Sequence, residues 1–157
     1  PHHCYFYFFH ITNLQKSFYN IFRFHKNNCY FCTISETMIK NILIVGTGGA
    51  LGSIARYLIT CLFTHLAICS ELATFVVNVI GSFIIGLLIP SAQSTLYLLL
   101  AVGFCGGFTT FSTFSAQAFQ MLQNGQRLTS LTYILASVII SITFVFLGIY
   151  ISERYVK

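Results

Sequence analysis

Four long apolar stretches alternate with short polar ones along the second half of the first third and the rest of the chain. The first runs from about Ile39 to Phe63, followed by a connection from His65 to Glu71. The second runs from about Leu72 to Ile89 and stops at Pro90-Ser91, because proline lacks the amide proton that would continue a helix. The third runs from about Thr95 to Leu122, and Gln123-Asn124-Gly125-Gln126-Arg127 forms a polar turn behind it. The fourth runs from about Thr129 to Ser152. Between Arg56 and Arg127 the one formal charge is Glu71, and between Thr129 and Ser152 there is none. Uncharged stretches of this length match the roughly 20 residues that a helix needs to cross a bilayer. The alternating ten-residue pattern of a membrane β-barrel is missing. The pattern therefore predicts an all-α membrane protein with four transmembrane helices and both ends of the core on one side.

Composition points the same way. Charged residues make up 7% of the 157 residues, and hydrophobic residues 56%; mean hydropathy is +0.80. Eleven charged groups cannot clothe a soluble globule of this size. The net charge of +5 comes from scattered residues, with no cluster resembling a phosphate-binding patch, so nucleic acid is not an expected partner. A soluble enzyme and a disordered chain are excluded on the same grounds. Lys40, Arg154 and Lys157 lie on the terminal side of the core, and Arg127 and Arg56 near the other. So even a balance gives insertion little directional bias.

Residues 1–37 differ from the rest. They hold Phe, Tyr, Asn, Ile, Lys, His and Cys in no helical or strand period, and the first methionine is Met38. We read 1–37 as a non-native extension or misassigned start, and 38–157 as the working domain. Cys29-Tyr-Phe-Cys32 is an isolated C-x-x-C, with His2, His3, His10 and His25 as conceivable further ligands. A zinc site needs about four ligands at suitable spacing, so unpaired thiols are the preferred reading. The glycines in Gly46-Thr47-Gly48-Gly49-Ala50-Leu51-Gly52 mimic a dinucleotide-binding loop. Without a soluble βαβ surface around them, Gly48, Gly49 and Gly52 read as close helix contacts.

Polar residues inside the spans carry the functional signal, since they cost free energy in lipid and turn toward a partner, a cavity or an ion path. In the second span Asn78, Gly81, Ser82 and Gly86 share one broad face, which suits either a packing seam with an interhelical hydrogen bond or a pathway lining. In the third, Gly106-Gly107 precedes Thr109, Thr110, Ser112 and Thr113, a poor stretch of continuous membrane helix. A break there frees backbone groups, tolerable where protein or a bound ion satisfies them. Freed carbonyls suit a small hard cation, and half-helix N-termini an anion. Phe108, Phe111 and Phe114 recur every third residue; they form an aromatic packing stripe or offer their positive ring edges to an anion. Tyr133, Ser137 and Ser141 fall in one line along the fourth helix, as a polar track or as hydroxyls bonded back to their own helix. Arg56 either snorkels to the interface or attracts anions to a vestibule.

Three of these segments together resemble the CrcB/Fluc family of fluoride channels. They are Gly48-Gly49-Ala-Leu-Gly52-Ser-Ile-Ala-Arg56-Tyr57, then Asn78-x-x-Gly81-Ser82-Phe-x-x-Gly86, then Gly103-Phe-Cys-Gly-Gly-Phe-Thr-Thr-Phe-Ser-Thr-Phe-Ser115. The resemblance runs from about Met38 to Ser152, and the third motif is its most specific part. It implies an antiparallel, dual-topology homodimer in the plasma membrane that exports fluoride passively. It implies that the backbone carbonyls of Gly106 and Thr109 hold one structural sodium ion. It further implies that Asn78, Phe111 and Phe114 line the fluoride path, that Tyr133, Ser137 and Ser141 match the polar track of the fourth helix, and that Arg56 matches the arginine of the first motif. Two alternatives remain open. A small multidrug-resistance-type exporter wants a carboxylate inside a helix, and Glu71 and Glu153 sit at span ends. A non-transporting membrane subunit needs neither a helix break nor three polar faces.

Overall fold

The computed structural model describes the backbone of residues 28–91 and 94–155, and the side chains of 36–90 and 94–154. The chain divides into two compact units, Pro1–Lys40 and Asn41–Lys157. Of the segment read as a non-native extension, residues 1–27 lie outside the described residues, as do the side chains of Cys29 and Cys32.

The described residues form helices joined by turns and short irregular segments. Helix α1 spans Asn28–His65, α2 Ser70–Leu88, and a single 3-10 turn covers Ile89–Ser91 around Pro90. The third span comes in pieces. These are α3, Thr95–Tyr97, a π-helical stretch Leu98–Cys105, α4, Gly106–Phe108, and α5, Phe111–Gln123. Helix α6 closes the chain over Arg127–Tyr155. Four of these helical stretches are long and apolar enough to cross a membrane: Glu36–His65, Ser70–Leu88, Thr95–Gln123 and Arg127–Arg154.

The expected boundaries are corrected at two places. Helix α1 begins at Asn28, not Ile39, so the absence of apolar periodicity before Met38 did not mark a helix start. Adding residues to an existing helix costs little once the first turn has formed. The third span was expected to break at the paired glycines. It breaks two residues later, at Thr109 (φ −77°, ψ 159°) and Thr110 (φ −149°, ψ 108°).

Glycine governs the packing. A Cβ on Gly48 would run into the Leu99 carbonyl, on Gly52 into the Phe104 carbonyl, and on Gly107 into the Gly49 carbonyl. The glycines of α1 thus let it lie backbone to backbone against the first half of the third span, the close approach that small residues permit in lipid. The stretch that mimics a dinucleotide loop lies wholly within this helix. The same device joins α2 to α6, where a Cβ on Gly86 would meet the Val145 carbonyl and one on Gly148 the Phe83 carbonyl. Phe83 and Phe144 meet edge to face beside that seam, at 6.2 Å and 78°. Helices α5 and α6 form a hairpin. Its turn uses the left-handed conformation of Gly125, φ 77°, and the buried Ser130 hydroxyl donates to the Ala118 carbonyl at 2.8 Å. The outward faces of α1 and α6 are apolar and exposed: Ile42, Leu43, Leu51 and Leu58 on one, Leu131, Leu135, Ile139 and Phe146 on the other. Faces of that extent suit hydrocarbon rather than water.

Candidate functional site

The site is built around the break at Thr109–Thr110. A helix interrupted inside a membrane leaves amides and carbonyls that water cannot reach, each costing several kcal/mol if unpaired. Asn78, midway along α2, supplies partners from the side. Its Oδ1 accepts from the Thr110 amide at 2.8 Å, and its Nδ2 donates to the Thr110 carbonyl at 3.3 Å. The interhelical hydrogen bond expected of Asn78 is therefore present, and it is bidentate. Thr110 also caps α5, its Oγ1 accepting from the Thr113 amide at 3.3 Å and donating to Thr113 Oγ1 at 3.0 Å. Gly81, one turn beyond Asn78, lets α2 close on the break, since a Cβ there would strike the Thr109 methyl.

This arrangement bears on the two carbonyls expected to hold a cation. In an unbroken helix the Thr110 amide would bond the Gly106 carbonyl and the Thr113 amide the Thr109 carbonyl. Here the first amide turns to Asn78 and the second to the Thr110 hydroxyl. Gly106 and Thr109 thus keep carbonyls released from helical pairing, and a Cβ at Gly106 would meet nothing within 4 Å. Carbonyl oxygens released from helical pairing are donors of the kind a small hard cation takes. Among the described residues no group of three His, Cys, Asp or Glu side chains offers an alternative metal site.

Two cavities flank the break. One, of about 300 Å³, is bordered by Asn78, Thr109, Phe111, Phe114, Ser137 and Ser141 among others. It brings together five of the six residues expected on an anion path, from three separate spans. Phe114 is buried and Phe111 is 78% exposed, with ring centres 5.6 Å apart. The Ser137 hydroxyl is buried without a hydrogen-bond partner. It is not bonded back to its own helix, so the polar-track reading survives at this position. The cavity contains no formal charge.

Tyr133, the sixth, does not border this cavity. Its hydroxyl donates to Gln117 Oε1 at 3.0 Å, and its ring lies 5.3 Å from that of Phe114. The line Tyr133–Ser137–Ser141 is thus a continuous helix face whose first member is engaged sideways. Arg56 borders the second cavity, of about 330 Å³, with Ser53, Thr74, Thr110, Thr113 and Gln117. Sequence reasoning missed Gln117. Its signal was available: an amide seven residues after Thr110, hence on the same helix face, in an apolar surround of Ala116 and Ala118.

An interrupted membrane helix, with an uncharged polar cavity on one side and an arginine-bearing cavity on the other, defines a multi-pass membrane protein of the channel or transporter class. Residues 43–149 match the family model described as CrcB-like protein, Camphor Resistance (CrcB). A protein of Gloeothece citriformis described as "Fluoride-specific ion channel FluC" is 49% identical over 119 residues, covering 72% of this chain and 97% of that protein. Proteins of the same description from Leptospira interrogans serovar copenhageni and Azobacteroides pseudotrichonymphae are 42% and 38% identical, covering 74% and 75% of this chain and 97% and 100% of theirs. The chain belongs to the CrcB/FluC family.

Proposed function

We propose that the protein is a fluoride-specific channel of the plasma membrane that lets fluoride leave the cell passively and so lowers its toxicity. The observation that carries this reading is the cavity beside the break, which gathers Asn78, Ser137, Ser141, Phe111 and Phe114 and contains no charged group. Fluoride is small and strongly hydrated. A pore must replace its water with donors and positive ring edges, yet hold it weakly enough to let go. A fixed cation in the narrow part would trap it. Arg56 instead borders the separate cavity, where it raises the local anion concentration without entering the path. Flow then follows the electrochemical gradient, outward from a negative cell interior. The exporter alternative lacks a coupling group inside a span: among the described residues Glu36 stands at the start of the first membrane-spanning stretch, Glu71 in the first turn of α2 and Glu153 in the last of α6.

The working unit is an antiparallel homodimer. Phe111 is 78% exposed although it borders the proposed path, so the path is open on that side until a second copy covers it. The near balance of Lys and Arg between the two ends suits insertion in both orientations. In that dimer the Gly106 and Thr109 carbonyls would hold one structural sodium ion, which supplies positive charge and is not transported. Residues 38–157 form the channel domain, and the matched segment 43–149 falls inside it.

The test is fluoride release from liposomes containing the purified dimer, followed with a fluoride electrode. Rapid fluoride efflux without chloride efflux supports the reading. A folded dimer that releases neither ion, or both alike, defeats it.

A further inference from the structure

We propose that Gln117 is a positioning residue for the anion path, and that Tyr133 serves that path through its ring and not as a hydroxyl donor. This rests on the channel reading above. Gln117 is buried, 8% exposed, inside α5. Its Oε1 accepts from the Tyr133 hydroxyl at 3.0 Å, and its Nε2 donates to Ser70 Oγ at 3.4 Å. The Ser70 hydroxyl donates onward to Glu71 Oε2 at 3.3 Å. The chain of donors thus runs one way, from Tyr133 through Gln117 and Ser70 to a carboxylate.

Two consequences follow. A phenol has one proton, and here it is committed to Gln117, so it is not offered to a passing anion. The hydroxyl of Ser137, one turn along α6, has no partner and stays free to donate. The row of hydroxyls therefore holds an anchor, Tyr133, and a free donor, Ser137. The second consequence is mechanical. The Tyr133 ring lies against Phe114 at 5.3 Å and 46°, and Phe114 borders the path. Fixing the phenol oxygen fixes the ring, and the ring limits how Phe114 turns its edge. Gln117 also borders the Arg56 cavity, so one amide sits on the partition between vestibule and path.

The experiment is a double-mutant cycle read as fluoride efflux, with wild type as the reference in each preparation. Gln117→Met keeps the length of the side chain and removes the acceptor; Tyr133→Phe keeps the ring and removes the proton. Each single variant is expected to lose about five- to tenfold in flux, the equivalent of about one hydrogen bond. The double variant is expected to lose no more than either single one. In the Gln117→Glu background, which keeps an acceptor for the phenol but adds a charge, Tyr133→Phe is expected to cost about the same five- to tenfold as in wild type, whereas in the Gln117→Met background it costs nothing, a contrast that packing alone does not predict. Losses that multiply in the double variant overturn the proposal. So does a severe loss in Tyr133→Phe beside an unaffected Gln117→Met, the result for a phenol that donates directly to fluoride. Should Gln117→Met not fold, Tyr133→Phe at wild-type flux is the overturning result, and a further loss of about five- to tenfold on adding Tyr133→Phe to Gln117→Glu the supporting one. A wild-type protein without flux refutes the channel reading itself, a different outcome from any of these.

Discussion

Replacing Asn78 with aspartate perturbs the path and the break together, and the two effects separate by magnitude. The aspartate keeps an oxygen for the Thr110 amide, now bonded at 2.8 Å, and loses the donor to the Thr110 carbonyl, now at 3.3 Å. Loss of one neutral hydrogen bond costs about 1 kcal/mol, which a folded dimer survives. The electrostatic effect is larger. A carboxylate about 4 Å from fluoride, at an effective dielectric constant of about 20, repels it by about 4 kcal/mol. That is about a thousandfold in occupancy of the path. Asn78→Leu removes both bonds and adds no charge. It leaves the Thr110 amide unpaired at a cost of about 1–3 kcal/mol, and should act chiefly on stability. The assay is fluoride efflux from liposomes, with the elution profile and melting temperature of each variant measured beside it. Asn78→Asp is expected to remain a dimer and to lose nearly all flux, while Asn78→Leu melts at lower temperature. A dimeric Asn78→Asp protein that conducts within about threefold of wild type would remove Asn78 from the path.

Other substitutions probe the remaining parts. Gly107→Ala should destabilise the protein by about 1–3 kcal/mol, because its Cβ collides with the Gly49 carbonyl; an unchanged melting temperature would contradict the backbone contact between α1 and the third span. Ser137→Ala should lower flux with little effect on stability, since the hydroxyl has no partner to lose; undiminished flux would place the donor elsewhere. Sodium should raise the melting temperature of the dimer over that in a large organic cation, and equal values in the two would argue against a cation at the Gly106 and Thr109 carbonyls.

Much of this arrangement was legible in the residues. Four apolar stretches gave four spans, because bilayer thickness converts directly into helix length. Asn78 stood out as an amide in the apolar stretch Leu72–Ile89, and it does bridge to another span. The hydroxyl run after Gly106-Gly107 located the break to within two residues. It missed the exact pair because glycine permits two different things. In this fold Gly107 is used for close approach to Gly49, and the chain is opened at Thr109 and Thr110, whose hydroxyls and amide partners can satisfy the ends. The π-helical stretch Leu98–Cys105 had no signal in an unbroken apolar run, since hydrophobicity does not distinguish one hydrogen-bond register from the next. Gln117 went unremarked because a single amide reads as tolerated polarity until its partner, Tyr133 on another helix, is known. The direction of the Tyr133 proton was beyond any spacing argument. A line of hydroxyls on a helix says which face is polar, not where each donor points.

The most direct measurement is the current through the purified protein in a planar bilayer under opposed gradients of fluoride and chloride. For a passive fluoride-selective path the current reverses at the fluoride equilibrium potential, about 59 mV for a tenfold gradient of a monovalent ion, and ignores the chloride gradient. No current, or a reversal that follows chloride, would contradict it.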